Sequence, residues 1–494
     1  MDPPASKSDY GISQPASASK SSPEASGKAP NTSAQRVMAS IQNDDERLLA
    51  RIGYNQELRR EFNKWSTVSY AISILGVLGS VPATFGSPIA AGGPATAAAG
   101  VASLAYTISQ MIFAAAVMNS PQLEDGSSAF TPSALQTVLL AILILCLFGT
   151  ICSLTTKALH KIVLWFAPIN ILASVSICIA LLVLTPNKRS AEWVFTEVTD
   201  GSGWGSKGFS FLLGFLSVAW TMTDYDGTTH MSEETHDAAI RGPVAIRSAI
   251  LVSGLVGWML TVTFCFCLTD YDGIVNSSTG LPVAQIFLNA GGRTGGTIMW
   301  FFVILVQFFT GCSAMLANAR MCYAFARDDA LPFSSFWCKI NKYTGTPVNA
   351  VWLVVVFCTC LDLIGIGSTL TIVAIFNICA PALDLSYVAV IIAHRVYENR
   401  VRFIPGPYTM GIWSKPVNLI ACTWVVFISV ILFFPTTKPV TATNMNYAIC
   451  VAGFVGLFSL SWWWIGARKK YTGPRTKDII DMLPTEDPDD MSFP

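Results

Sequence analysis

The chain has 494 residues, with 31 basic and 31 acidic side chains and therefore no formal net charge. Charged residues make up 13% of the sequence, against about 25% in typical soluble domains. Only 34 of the 62 charges lie between residues 65 and 467, so the composition indicates a polytopic membrane protein, excludes a soluble enzyme and offers no basic face for a nucleic-acid partner.

The two ends of the chain are predicted to be tails. Residues 1–43 are rich in Ser and Pro without an apolar core, so we expect a disordered cytoplasmic tail and no cleavable signal peptide. Residues 44–64 carry apolar side chains at helical spacing beside basic ones, which fits either a juxtamembrane amphipathic helix or a solvated linker. Residues 468–494 are a charged C-terminal tail, and 65–467 are the expected transmembrane domain.

Eleven apolar runs approach the length that a helix needs to cross a bilayer, about 20 residues. These runs predict an all-α membrane protein whose helices lie in the lipid bilayer. The runs are 67–88, 96–118, 133–152, 162–184, 209–228, 244–268, 296–319, 349–366, 369–393, 416–435 and 446–466.

Lys and Arg in short loops predict the orientation of the spans. Loops 153–161, 229–247, 320–347 and 394–415 carry basic residues and are expected on the cytoplasmic side, whereas loop 119–132 has none and is expected outside.

The crossings near the N-terminus do not alternate as this orientation requires. A cytoplasmic start and an outer loop at 119–132 need an odd number of crossings between Trp65 and Met118. Those 54 residues read as two runs, and three crossings would need about 60 residues before any turns. Either one run does not cross, or a span is absent from this chain.

The densest polar cluster follows the apolar run 209–219. Trp220 and Thr221 lead into a stretch of Thr, Asp and Gly that contains Asp224 and Asp226. These residue types favour a helix break, and a broken helix is tolerated at membrane depth where it lines a cavity. The freed main-chain N–H groups suit an anionic group such as a carboxylate. The alternative is that the span ends at Asp224 and continues as a cytoplasmic loop.

The first span carries break signals of its own. Ser73, Gly76 and Gly79 are followed by Ser80 and Pro82. The two glycines lie three residues apart, so they would also serve as a close-packing face between helices. Together with the polar stretch after 219, however, they give two interrupted helices in one chain, which point to a transporter site.

Three more ionisable residues are candidates for coupling or gating. His230 and Glu233 lie three apart on a helix, but the HExxH pattern of metalloproteases is missing, so a polar network is favoured and neither a metal nor a cofactor is expected. Asp384 lies inside an apolar run, where an acid is costly and functional by default. It is either a partner for a proton or substrate amine, or an acid paired with a neighbouring helix.

Three motifs resemble those of a known family. They are Asp226-Gly-Thr-Thr-His-Met-Ser-Glu-Glu234, Asn318-Ala-Arg-Met-Cys-Tyr-Ala-Phe-Ala-Arg-Asp328 and Thr346-Pro-Val-Asn-Ala350. In combination they resemble fungal amino-acid, GABA and choline permeases of the amino acid–polyamine–organocation superfamily. The similarity runs over about residues 44–470.

The resemblance implies a LeuT-type bundle of two inverted repeats, in which the first and sixth helices unwind around the substrate. It implies a secondary transporter of amino acids or related amines such as GABA, coupled to protons, in the plasma or vacuolar membrane with both termini cytoplasmic. The substrate-binding residues that it implies are Ser73, Gly76, Gly79, Tyr106, Trp220, Thr221, Asp224 and Asp226. Asp224 stands where the family often has Gly, which bears on charge selectivity.

The chain departs from the family at its second helix. Families of this kind have twelve spans, whereas this chain passes from the first span to the third near residues 91–100, in agreement with the crossing conflict above. A second hypothesis is therefore a shortened, transport-defective isoform or a nutrient sensor. A choline or polyamine permease is a further alternative, and an intramembrane enzyme is disfavoured because no nucleophile–base arrangement is present.

Overall fold

The structure is a computed structural model, and its described part is almost entirely helical. Within that part no β-strand forms, and an isolated bridge joins Phe62 to Thr235. Both predicted tails lie almost wholly outside it. The described residues are 49, 56–84, 94–121, 128–197, 202–275, 277–376, 379–398, 400, 407–435, 437–442 and 445–468.

Eighteen α-helices follow one another along the described residues and are numbered here in chain order. Short 3-10 turns at Ser232–Glu234 and Gly411–Trp413 and a π turn at Trp463–Ala467 accompany them. The helices are α1 Lys64–Leu75, α2 Val77–Thr84, α3 Pro94–Asn119, α4 Ala134–Cys152, α5 Thr156–Val163, α6 Phe166–Leu184, α7 Ala191–Thr196, α8 Lys207–Thr221, α9 Gly227–His230, α10 Ala238–Cys267, α11 Tyr271–Val275, α12 Pro282–Arg327, α13 Ser334–Trp337, α14 Val348–Gly367, α15 Thr369–Phe376, α16 Cys379–Tyr397, α17 Ser414–Leu432 and α18 Ala448–Trp462.

Ten helical stretches of the described chain are long and apolar enough to cross a membrane. They coincide with ten of the eleven predicted spans and confirm the all-α, polytopic fold. The eleventh, predicted at 209–228, is not one helix, because α8 ends at Thr221 after 15 residues and the short α9 follows a break. The loop predicted at 320–347 was placed too early, since α12 continues to Arg327.

Helix α12 is the central column of the bundle and positions both helix breaks. Small residues let its neighbours approach closely: a Cβ on Gly311 would lie 2.2 Å from the ring of Phe148. The fully buried Trp300 donates from its Nε1 to the Met111 carbonyl of α3 at 2.8 Å. Gly292, with a φ of 63°, kinks the helix near its start.

Helices α1, α2 and α3 all run antiparallel to α12. Ser73 lies beside Ser313 and Gly79 beside Gln307, while Met111 of α3 bonds to Trp300 and Asn119 bonds to Thr297. Consequently α2 and α3 run parallel to each other.

Only nine residues, 85–93, separate the parallel helices α2 and α3. Nine residues reach at most about 30 Å when fully extended. A helix that crossed the membrane back to the side where α2 begins would need about 20 residues, so this connection is too short to contain one.

Of the predicted juxtamembrane segment, the structure describes Leu49, which is helical, and residues 56–64. Residues 56–62 are not helical, and the side chains of Leu58 and Phe62 are buried within the protein. The Glu61 and Phe62 N–H groups donate to the carbonyl of Glu234, and the His236 N–H donates to the carbonyl of Phe62. This segment is held by main-chain pairing with the loop after α9, which spacing along one helix cannot reveal.

Candidate functional site

The first helix break lies at Gly76, between α1 and α2. Gly76 has a φ of 43° in the left-handed region, which favours glycine, and a Cβ there would lie 1.6 Å from Thr310 Oγ1. The Gly76 N–H donates to the carbonyl of Ile72 at 3.3 Å, and the Gly79 and Ser80 N–H groups donate to the carbonyl of Gly76. A new helix therefore begins directly after Gly76, and helix starts carry main-chain N–H groups without an acceptor inside their own helix.

Side chains of α12 occupy the other polar groups around this break. Thr310 Oγ1 donates to the carbonyl of Ser73 at 3.1 Å, and Ser313 Oγ donates to Ser73 Oγ at 3.0 Å. Gly79 lies against Gln307, whose fully buried amide has no hydrogen-bond partner among the described residues. The Ser73 hydroxyl is thus engaged by protein, whereas the amide of Gln307 is not.

The second break separates α8 from α9. Asp224 adopts a φ of 60°, a conformation that Asp tolerates better than most residues. The Gly227 N–H donates to the carbonyl of Asp224 at 3.0 Å, which turns the chain into the four-residue helix α9. The predicted span is thus interrupted at Asp224 and is followed by one short helical turn.

Asp226 is the best-connected acid at this break. Tyr387 of α16 donates its hydroxyl to Asp226 Oδ1 at 2.6 Å, and His230 Nε2 lies 3.3 Å from Asp226 Oδ2. The Tyr225 and Tyr387 rings pack at 5.1 Å between centroids. Tyr387 was not predicted from the sequence, although it lies one helical turn after Asp384 and so shares its helix face.

A cavity of about 160 Å³ is lined by the second break, by α12 and α16 and by Ile74 of α1, and is here named the helix-break cavity. It brings together three residues that the sequence singled out, Asp224, Asp226 and His230. Its lining residues are Ile74, Asp224, Asp226, Gly227, His230, Ala314, Ala317, Asn318, Met321, Phe325, Leu383, Ser386 and Tyr387.

The other predicted site residues are not among the lining residues, and these include Ser73, Gly76 and Gly79 at the first break. Trp220 is half-buried against the main core, and Thr221 is buried at the end of α8. Tyr106 packs against Phe376, with ring centroids 5.8 Å apart, away from the lining of the helix-break cavity. Asp384 is half-buried on α16, one turn before Tyr387, and is not part of the lining.

Glu233 belongs to a separate charged network where α12 ends. Its carboxylate lies 2.7 Å from Arg327, while Glu234 bonds to Arg320 Nε at 2.8 Å. Glu57 accepts a hydrogen bond from Tyr323, so the segment before α1 joins the same network. Glu233 thus lies in an ion-pair network away from the helix-break cavity.

Two further features near α3 and α12 were not predicted. Asp362 of α14 is fully buried, and neither carboxyl oxygen has a hydrogen-bond partner within the described chain. A second cavity of about 270 Å³ lies at the end of α3, with Ser120, Gln285, Asn289 and Arg293 on its wall. None of its lining residues comes from either helix break.

The family profile and the three relatives described here are all amino-acid permeases. The profile of the amino acid permease family matches residues 81–456. An uncharacterized amino-acid permease of Schizosaccharomyces pombe is 38% identical over 91% of this chain and 92% of its own length. Amino-acid permease 2 of Neurospora crassa is 32% identical over 92% of both chains. Amino-acid permease BAT1 of Arabidopsis thaliana is 37% identical over 62% of this chain and 61% of its own.

The alignments also contain positions that this chain does not fill. The alignment with the Schizosaccharomyces pombe protein has 502 positions but takes in 91% of the 494 residues, about 450, which leaves about 50 positions empty in this chain. The alignment with the Arabidopsis thaliana protein has 316 positions and takes in 62%, about 306 residues, so only about 10 are empty.

Proposed function

Because this chain belongs to the amino acid permease family, which comprises transporters and not enzymes, we propose that it is a secondary transporter that moves amino acids or related amines such as GABA, coupled to protons. The observation that carries this proposal is that two helices are interrupted, at Gly76 and at Asp224, and that one cavity is lined by the second break and by Ile74 of the first of these helices. Interrupted helices at membrane depth are typical of substrate sites in secondary transporters. The same pair of breaks supports a LeuT-type arrangement.

The two breaks offer groups of opposite character for a zwitterion. The main-chain N–H groups at the start of α2 are donors of the kind that suit a carboxylate. Asp224 and Asp226 at the other break are acceptors that suit an ammonium group. In this proposal Ser73, Gly76 and Gly79 form the carboxylate side of the site.

Proton coupling is assigned to acids and a histidine near the same cavity. His230 contacts Asp226 at 3.3 Å and lines the cavity, and Asp384 lies one helical turn before Tyr387. An intramembrane acid is costly unless it is used. The membrane is the plasma or vacuolar membrane, with both termini in the cytoplasm.

Uptake of labelled amino acids and GABA by permease-deficient yeast expressing this chain tests the transport proposal. Asp226→Asn is expected to reduce uptake while the protein still reaches the membrane. Asp237→Asn is a matched control, since Asp237 is exposed beside Arg241 and lies outside the cavity. Background uptake by a correctly localised wild-type chain would contradict transport by this form, and normal uptake by Asp226→Asn would remove Asp226 from the site.

A second candidate is a shortened, transport-defective form or a nutrient sensor. It is favoured by the parallel course of α2 and α3 across a nine-residue connection, and by the about 50 alignment positions that this chain leaves empty. We expect full-length transcripts to carry an in-frame insert near residue 95, encoding roughly 60 residues with one returning helix. Long-read transcript sequencing checks this, and a transcript colinear with this chain would contradict it.

A further inference from the structure

We propose that the helix-break cavity selects ligands by net positive charge, so that diamines and basic amino acids bind best, neutral amino acids bind less well and acidic amino acids are excluded. This inference rests on the proposed transport function and narrows its substrate class. It is carried by the electrostatic character of the cavity wall and by two acceptors on it.

The cavity wall has an excess of negative charge. Asp224 and Asp226 both line it, and no Lys or Arg is among its described lining residues. The one group that can be positive is His230, which lies against Asp226. Two carboxylates that share one site repel each other, and a cationic ligand relieves that repulsion.

The two acids are not equivalent. Asp226 already interacts through both carboxylate oxygens, with Tyr387 and with His230. Asp224 makes no side-chain hydrogen bond or ion pair to any described residue. Asp224 therefore presents the free carboxylate of the cavity.

Asn318 supplies the independent observation. Its side chain is 6% exposed and lines the cavity. Its amide nitrogen donates to the Ala314 carbonyl at 3.0 Å, and its amide oxygen accepts no hydrogen bond from the described chain. This oxygen and the Asp224 carboxylate are two acceptors open to a ligand rich in N–H donors, which an ammonium group is.

The rest of the wall suits the carbon chain of such a ligand. The lining between the polar groups is apolar, from Ile74, Ala317, Met321, Phe325 and Leu383. Methylene groups pack against such surfaces while the charged end reaches a polar partner. A linear diamine or a lysine side chain has this combination.

The test measures equilibrium binding of labelled putrescine, lysine, alanine and glutamate to the full chain in lipid nanodiscs. Wild-type affinity is expected to fall in that order. Asp224→Asn removes one charge and keeps a side chain that tolerates the left-handed backbone. We expect it to weaken putrescine roughly 10–100-fold, lysine less and alanine within about 3-fold, from the usual strength of charged hydrogen bonds. Glutamate should bind no worse than before.

Asp237→Asn is the matched control, because Asp237 also has a positive φ, of 48°, but is exposed and outside the cavity. It is expected to change no ligand by more than about 2-fold. If Asp224→Asn weakens all ligands equally, or if glutamate binds as well as lysine, charge selection is overturned while the permease function stands. If none of the four ligands binds and none is taken up, both proposals fail.

Discussion

The buried pair between Glu234 and Arg320 gives the sharpest stability prediction. Arg320 lies on α12 and Glu234 on the turn after α9, and their side chains are 2% and 0% exposed. One hydrogen bond of 2.8 Å joins them, while Glu234 Oε2 and both terminal nitrogens of Arg320 have no partner within the described residues. The change Glu234→Gln keeps the shape of the side chain but leaves the Arg320 charge buried without its counter-ion.

The neighbouring pair between Glu233 and Arg327 is a natural control. It has a similar distance, 2.7 Å, but its side chains are 21% and 16% exposed. Removing one partner of a fully buried ion pair typically costs about 3–5 kcal/mol, whereas pairs that reach solvent contribute about 0–1 kcal/mol. We therefore expect Glu234→Gln to lower the free energy of unfolding by about 3–5 kcal/mol, and Glu233→Gln by about 1 kcal/mol.

The comparison is made by thermal unfolding and by SDS titration of both variants in the same detergent. The double change Glu234→Leu with Arg320→Met should recover most of the loss, because a buried pair can be replaced by apolar side chains of similar volume. Equal losses for the two single variants would refute the assignment of Glu234–Arg320 as the buried pair. A double variant no more stable than Glu234→Gln would refute the electrostatic reasoning.

Three further changes test other features of the structure. Gly76→Ala places a methyl group 1.6 Å from Thr310 Oγ1 at a φ of 43°, so it should abolish the monodisperse peak in fluorescence-detected size exclusion. Gly254→Ala, with nothing within 4 Å of the added methyl group, should keep that peak. Equal behaviour of the two variants would contradict the helix break at Gly76. Tyr387→Phe removes the 2.6 Å hydrogen bond to Asp226 and should weaken substrate binding about 10-fold at unchanged protein yield. Unaltered binding would show that Asp226 does not contact the ligand. Asp362→Leu removes a buried carboxyl group that has no hydrogen-bond partner among the described residues. It should raise the free energy of unfolding by about 1–3 kcal/mol, measured as a higher unfolding midpoint. A lower midpoint would show that this carboxyl group has a partner.

The sequence alone determined the class and course of the chain. Long apolar runs with few charges leave only membrane-spanning helices, because hydrocarbon satisfies no backbone hydrogen bonds. Gly76 and the stretch from Asp224 to Gly227 predicted the two breaks, because their residue types disfavour a continuous helix. The number of crossings before Met118 also disagreed with the expected orientation of the spans, and in the structure α2 and α3 run parallel with only nine residues between them.

Only the tertiary structure decided which of these residues meet. Tyr387 and Asn318 reach the helix-break cavity from α16 and α12, and Arg320, which the sequence placed in a loop, is buried against Glu234. Tyr106 and Glu233 were expected close to the site or its gate, and each packs with a different group of neighbours. Local sequence fixes where a helix bends and which residues share a face, but contacts between distant helices depend on packing and rotation, which leave no periodic signal along the chain.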